Sequence, residues 1–238
     1  MIVRMLTVSM LLLVTAAPSS AAPIAMLIPG LGLAQLSGLS DAKVAAGLKE
    51  ALQTGTERAV SLTGRPDGYF RNAAIKILMP APLQPIEKGL RAVGSGPQVD
   101  AFILSMNRAA ERAAPAAKPI FWDAIAAMNF DDARKILSGR PTAATEYFRA
   151  KTSERLAAAF RPVVTQAMND VGVTRQYKEL VGRAQAIPFI KSEAVDLDHY
   201  VVTKSLDGLF HVLGEEEQKI RTNPTARATT LLKEVFAK

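Results

Sequence analysis

The sequence predicts an all-α protein: a single compact domain of about eight or nine helices, preceded by a signal peptide. About a sixth of the residues are alanine, which has the highest intrinsic helix propensity. Apolar residues recur at steps of three and four through most of the chain, as on one face of a helix. Alternation of apolar and polar residues, which is typical of a strand, rarely lasts beyond about four residues.

The first 22 residues have the three parts of a signal peptide. Arg4 supplies a positive charge, residues 5–17 form an apolar run, and small residues permit cleavage after Ala21 or Ala22. As a helix this run is about 20 Å long, shorter than a hydrocarbon layer of about 30 Å, and an uncleaved anchor is the alternative. We therefore predict export to the periplasm, with a signal peptide over residues 1–22, an apolar leader over 23–39 and an all-helical domain over 40–238.

The first half of the domain is predicted to contain two helices joined by a long irregular connection. Ser40 is the expected N-cap of the first helix, whose apolar face continues until Gly64 begins a break. Residues 64–85 are rich in proline and glycine, and residues 74–79 within them have the pattern of an extended segment. A short helix is expected over residues 83–93.

Prolines divide the middle of the chain. Residues 98–128 have a helical pattern, which Pro115 and Pro119 are expected to split into two helices. Asn129 is a favourable N-cap for a short helix that continues through Leu137.

Further helices are predicted in the C-terminal part. They occupy residues 142–171 with a kink at Pro162, residues 174–187, a stretch that begins at Asp196 or Asp198, and a last helix from Asn223-Pro224 through Phe236. In the stretch that follows Asp196, the residues expected to face the core are Leu206, Leu209, Leu213 and Ile220.

The composition excludes several kinds of site. The chain has no cysteine and two histidines, which rules out disulfides, thiolate metal sites, a cysteine nucleophile, an acylated cysteine and a three-histidine zinc site. The formal charge is +7, but the basic residues are scattered beside acidic ones. This pattern, together with export, argues against nucleic-acid binding, whereas peripheral contact with anionic lipids remains an open alternative.

Polar residues within apolar helical stretches are the candidate binding groups. Asn107, Arg108 and Glu111 lie among alanines, and Arg108 can reach Glu111 three residues later on the same helix. We expect either a structural polar cluster or a ligand-orienting group, completed by a distant partner such as Arg161, Arg221 or Asp123. The full set of candidate ligand-binding residues is Asn107, Arg108, Glu111, Arg161, Glu216 and Arg221.

Neither a metal site nor a catalytic residue is assigned. His211 and Glu215 share a helix face and offer two ligands for a metal ion. No third ligand is evident from the pattern, so a solvated acidic turn is the simpler interpretation and no cofactor is predicted. The sequence also lacks the GxSxG motif of serine hydrolases.

Several strings occur in an order that resembles a known family. They are LSMNRAAE (104–111), FRPVV (160–164), LDGLF (206–210), NPTAR (223–227) and LLKEVF (231–236). Together they resemble the bacterial family catalogued as domain of unknown function 4197, from about residue 38 to residue 236. The resemblance implies an exported, mostly helical protein; many relatives look like lipoproteins, whereas this chain lacks the cysteine for acylation.

The sequence favours a non-enzymatic periplasmic protein that binds either a lipid-like apolar ligand or an envelope protein partner. The alternative is a hydrolase-like enzyme that uses the carboxylates and arginines around Glu111 and Glu216. An enclosed apolar cavity of roughly 300 Å³ or more would favour a lipid carrier over a partner-binding protein.

Overall fold

The computed structural model describes residues 41–170 and 195–223, together with Arg175, residues 177–179 and Gly182. Over these residues the chain forms seven α-helices and no β-strand, which confirms the all-α prediction. The helices are α1 (Asp41–Gly64), α2 (Gln84–Ala92), α3 (Gly96–Ala113), α4 (Ala117–Ala127), α5 (Phe130–Ser138), α6 (Ala143–Asp170) and α7 (Leu197–Thr222).

Some predicted segments lie outside the described residues. These are the signal peptide, the leader, the N-cap at Ser40 and the helix after Asn223, together with most of the helix predicted over residues 174–187. None of the described helices combines the length and the apolar character needed to cross a membrane.

The helix boundaries follow the capping residues and prolines. The split between α3 and α4 is a 3₁₀ turn at Ala114–Ala116, so Pro115 interrupts the helix whereas Pro119 lies in the first turn of α4. Asn129 caps α5 through a reciprocal capping box with Asp132. Asp196 caps α7, which settles the predicted choice between Asp196 and Asp198.

The core lies where α6, α7, α1 and α3 pack against one another. Phe121 of α4 is at its centre, with ring centroids 5.2 Å from Phe148 of α6 and 6.1 Å from Phe210 of α7. Both pairs have the edge-to-face geometry that aromatic rings favour. The residues of α7 predicted to face inward are all buried: Leu206, Leu209, Leu213 and Ile220.

The connection between α1 and α2 contains an extended piece, but it begins later than the one predicted over residues 74–79, because Ala74 and Ile75 belong to a turn that is closed by hydrogen bonds to the carbonyl oxygen of Asn72. Residues 76–80 have no helical or turn assignment, and we call this segment the strap. It is followed by a 3₁₀ turn at Ala81–Leu83. The strap crosses between α3 on one side and α7 on the other, which places it beside the polar residues of both helices.

Candidate functional site

Glu111 is the centre of a buried polar cluster, and its carboxylate is 4% exposed. Its Oε1 atom accepts hydrogen bonds from the backbone N–H groups of Tyr69 and Phe70, at 3.1 and 3.2 Å. Its Oε2 atom accepts from Arg108 at 2.6 Å, and Arg108 in turn donates to Asp67 at 2.6 Å. These bonds attach the turn after α1 to α3.

The turn that Glu111 holds has demanding backbone geometry. Asp67 adopts a φ of 64°, a left-handed conformation that most residues disfavour. A Cβ atom added to Gly68 would lie 2.4 Å from the carbonyl oxygen of Leu62, so this position has room only for glycine. The charge-assisted bonds to Glu111 and Arg108 stabilise a turn that local preference alone does not favour.

Asn107 bonds the backbone of the strap as a neighbouring β-strand would. Its Oδ1 accepts from the N–H of Ile77 at 2.9 Å, and its Nδ2 donates to the carbonyl oxygen of Ile77 at 2.8 Å. The same Nδ2 donates to the carbonyl oxygen of Ile103 within α3. Because Asn107 is fully buried, these bonds satisfy polar groups that have no access to water.

The side chains of the strap alternate between the core and the surface. Ile77 and Met79 are buried, whereas Lys76 is partly exposed and Leu78 is 58% exposed. The carbonyl oxygen of Leu78 accepts a hydrogen bond from the hydroxyl of Tyr200 on α7, at 3.0 Å. The strap therefore has one edge bound to α3 through Asn107 and an opposite edge that faces α7.

An open groove of about 540 Å³ lies between this outer edge and α7. Its α7 wall is one helix face, with residues at consecutive turns: Tyr200, Lys204, Asp207, Gly208 and His211. Its strap wall includes Lys76 and Leu78. The volume is within the range of sites that bind small molecules or peptide segments.

The charged side chains of the groove leave it cationic. Asp207 is paired with Arg149 at 3.4 Å, and Nε2 of His211 lies 3.4 Å from Glu215, which itself lies outside the groove lining. Among the described residues, Lys204 and Lys76 have no carboxylate partner; Lys76 lies over the ring of Phe70 instead. Two lysine charges on opposite walls would attract an acidic ligand.

Tyr69 and Gly208 fix the distance between the turn and α7. The hydroxyl of Tyr69 donates to the carbonyl oxygen of Ser205 at 2.6 Å. Burial raises the pKa of the Tyr69 phenol far above its usual value, and the carboxylates of Glu111 and Asp207 raise it further. A Cβ atom at Gly208 would lie 2.5 Å from Cε1 of Tyr69, so α7 approaches the tyrosine ring closely because residue 208 is glycine.

Glu216 and Arg221, the candidates on α7, do not pair with each other. Glu216 bonds to Lys219 at 2.7 Å and lies 3.9 Å from Arg58 of α1. Arg221 bonds to Glu217 at 2.9 Å, and Glu217 accepts from the backbone N–H groups at the start of α6. The carboxylate of Glu217 therefore stabilises the N-terminus of α6.

The expected long-range partners of the Asn107–Glu111 group were wrong. Arg161 is exposed on α6, Arg221 pairs with Glu217, and Asp123 pairs with Arg155. The actual partner is Asp67, supplied by the turn after α1. Glu111 and Glu216 share no hydrogen-bond or ion-pair partner among the described residues.

One pocket in the described part of the protein is lined almost entirely by apolar atoms, and it is small. This pocket, which lies between α1, α5, α6 and α7 and is lined by residues such as Leu52, Phe148 and Leu213, has a cavity volume of about 20 Å³. That is the space of about one water molecule, an order of magnitude below the roughly 300 Å³ expected of a carrier. Within the described residues, no group of three potential metal ligands is present either, so His211 and Glu215 remain a pair.

The groove residues Lys76, Leu78, Tyr200 and Lys204 were not singled out by sequence reasoning. Two signals were available: the alternation over residues 74–79, and the spacing of four between Tyr200 and Lys204, which places them on one helix face. What the sequence did not show is that α7 lies beside the strap, because this contact joins segments 122 residues apart.

Comparison with known proteins identifies a family but no characterised relative. A family model described as "Protein of unknown function (DUF4197)" matches residues 38–237. The match covers nearly all of the predicted mature chain and confirms the resemblance drawn from the sequence strings. No curated protein and no solved structure matches the chain.

Proposed function

The chain belongs to the DUF4197 family, and from this premise we propose that it is a non-enzymatic periplasmic protein that binds an envelope protein partner. The binding site is the groove between the strap and α7, and the bound element is an extended acidic segment of the partner. The observation that carries the proposal is the strap itself: Asn107 binds one of its edges, and its other edge lines the groove.

A protein segment suits this groove better than a lipid. A lipid chain requires a long apolar cavity, whereas the apolar pocket between α1, α5, α6 and α7 holds about one water molecule. The groove instead combines an exposed Leu78 with the polar groups of Tyr200, Lys204 and His211. A mixture of apolar contact and directed polar groups is typical of peptide recognition.

The hydrolase-like alternative has weaker support. Both oxygens of Glu111 accept hydrogen bonds that hold the turn, including two from backbone N–H groups. Glu216 belongs to a different set of contacts, with Lys219 and Arg58. An acid–base pair would need its groups to converge on one reacting atom.

Site-specific photo-crosslinking in cells that export the protein tests the proposal. A benzophenone amino acid replaces Leu78 in one variant and Val93 in a control variant. Val93 is an apolar residue with similar exposure, 62% against 58%, but it lies outside the groove. A third variant combines the photoreactive group at position 78 with Lys204→Glu.

The expected result is a discrete protein adduct at position 78, absent at position 93 and lost with Lys204→Glu. Mass spectrometry should map the adduct to a segment of the partner that contains aspartate or glutamate. An adduct with lipid alone, equal adducts at both positions, or no adduct at position 78 would contradict the proposal.

A further inference from the structure

The partner segment joins the strap as an added strand: we propose that it bonds to the outer edge of the strap through the backbone of Leu78. This inference rests on the proposed function and specifies how the same groove recognises its partner. Addition of an extended peptide to an exposed strand edge is a recurring mode of recognition, in which backbone bonds supply affinity and alternate side chains supply specificity.

The backbone at Leu78 has the arrangement that strand addition needs. On the same edge, the N–H of Lys76 already donates to the carbonyl oxygen of Asn72 at 2.8 Å, and Pro80 has no N–H, so the added strand is short. In an extended chain, the N–H and C=O groups of successive residues point to opposite edges. Those of Ile77 point to Asn107, so those of Leu78 point to the groove, as the bond from Tyr200 to the Leu78 carbonyl oxygen confirms. The N–H of Leu78 has no hydrogen-bond partner among the described residues.

Asn107 makes the mode specific to one edge. If a peptide paired with the outer edge of the strap and nothing bonded its inner edge, the buried N–H and C=O of Ile77 would lack hydrogen-bond partners. The amide of Asn107 bonds both of these groups. The buried side chains of Ile77 and Met79 fix the face of the strap that points to the core. A peptide can therefore add only at the outer edge, and the side chains of the strap that lie beside it are those of Lys76 and Leu78.

The strap also defines a sequence pattern for the partner. Lys76 and Leu78 are two residues apart, so both side chains lie on the same face of the extended segment and both line the groove. Cross-strand neighbours interact most strongly when charges are opposite or both side chains are apolar. The expected pattern is an acidic residue and an apolar residue separated by one position, with Lys204 on the opposite wall adding preference for acidity.

Peptide selection with the full mature chain supplies the probe. A library of random dodecapeptides displayed on phage is selected for binding, and the Kd of the enriched peptide is measured by fluorescence anisotropy. Four variants are compared with the unmodified protein: Leu78→Pro, Leu78→Ala, Lys76→Glu and Lys204→Glu. Proline removes the N–H that the inference requires, whereas alanine removes the side chain and keeps the N–H.

We expect Leu78→Pro to weaken binding about tenfold more than Leu78→Ala does, because proline lacks the N–H that donates to the peptide. The peptide provides a second measurement that does not depend on folding of a variant. N-methylation of its backbone at each position in turn should weaken binding about tenfold at two positions, two residues apart, whose N–H groups donate to the carbonyl oxygens of Lys76 and Leu78, and little at the position between them.

The outcomes separate the binding mode from the function. If both lysine reversals abolish binding but N-methylation has no period of two, the groove binds acidic peptides and strand addition is wrong. If no selected peptide depends on Lys76 or Lys204, the proposed function itself fails. A period of two together with sensitivity to Leu78→Pro supports both.

Discussion

At the scale of single residues, the side-chain amide of Asn107 makes the hydrogen bonds that a neighbouring β-strand would make. Asn107 bonds the N–H and C=O of Ile77, which are the groups that a strand ladder would otherwise pair. The described part of the protein contains no sheet, so the extended segment depends on this one side chain for its inner edge. Its conformation, and with it the shape of the groove, follows from a residue on α3.

Replacement of this amide should be costly. Asn107→Leu keeps a similar size but leaves the buried N–H and C=O of Ile77 without partners, and we expect a loss of about 3 kcal/mol in the free energy of unfolding. Urea denaturation measures this loss. Gln98→Ala, at an exposed position of the same helix, is the control and should change stability by less than about 0.5 kcal/mol. A similar small change for Asn107→Leu would show that the amide does not hold the strap.

Tyr69 gives the fold a dependence on alkaline pH. Its phenol stays protonated in the folded state, because burial and the nearby carboxylates raise its pKa, whereas the unfolded phenol ionises near pH 10. Above about pH 10 the unfolded state therefore binds fewer protons than the folded state, and stability falls as pH rises, by up to about 1.4 kcal/mol per pH unit.

The comparison of Tyr69→Phe with the unmodified protein isolates this effect from the titration of lysines. Urea denaturation from pH 8 to 11 should give a shallower fall in stability for Tyr69→Phe. Tyr200→Phe is the comparison: burial also raises the pKa of this half-buried phenol, but without the carboxylates that act on Tyr69, so this variant should keep more of the fall than Tyr69→Phe does. Parallel slopes for Tyr69→Phe and the unmodified protein would contradict the assignment.

The polar cluster also shows how far residue-level prediction reached. Asn107, Arg108 and Glu111 stood out because polar groups in an apolar helix need partners, and the Arg108–Glu111 pair formed at the predicted step of three. The prediction of their distant partners was wrong, because helix periodicity shows only which side chains of the same helix can contact one another. Asp67 lies 41 residues before Arg108, and only the packing of the turn against α3 brings the two together.

At the scale of elements, α7 is positioned by a glycine. Gly208 lets the helix backbone approach the ring of Tyr69 and the side chain of Ile75, and this approach defines one wall of the groove. Gly214, two turns later on the same helix, has Thr145 Oγ1 as its nearest neighbour, at an ordinary contact distance of 3.7 Å. The two glycines thus have different roles within one helix.

Alanine substitution distinguishes these roles. Gly208→Ala places Cβ 2.5 Å from Cε1 of Tyr69, and we expect a loss of about 2 kcal/mol because a packed aromatic ring must move. Gly214→Ala meets no such contact and should be neutral or stabilise the protein by up to about 1 kcal/mol through helix propensity. Thermal or urea denaturation compares them, and equal effects would mean that α7 does not pack closely on Tyr69.

Element boundaries were predicted better than element contacts. Capping at Asn129 and Asp196 and the interruption at Pro115 depend on local chemistry, which the sequence contains directly. The strap was recognisable from alternation as extended, but its partners on α3 and α7 were not. Those contacts depend on how the helices pack, which periodicity does not specify.

At the scale of the whole molecule, the predicted export would determine which partners the protein meets. The predicted signal peptide and its cleavage site depend on Arg4, the apolar run over residues 5–17 and the small residues that follow. N-terminal sequencing of protein purified from the periplasmic fraction should begin at Ala22 or Pro23. A chain that begins at Met1, or one retained in the cytoplasm, would contradict export.

The proposed function assigns binding to a surface groove rather than to an internal chamber. The core is closed by aromatic contacts around Phe121, and the described apolar cavity has room for about one water molecule. The larger space lies outside the core, between the strap and α7. The central claim is therefore that α3 holds the strap extended so that its outer edge is available to a partner.

Hydrogen exchange at two neighbouring amides tests this claim most directly. In the free protein, NMR should show strong protection of the Ile77 amide, which donates to buried Asn107, and rapid exchange of the Leu78 amide, which faces the groove. Addition of a groove-binding peptide should then protect Leu78. Rapid exchange at Ile77 in the free protein, or a Leu78 amide that stays unprotected when the peptide is bound, would contradict the account.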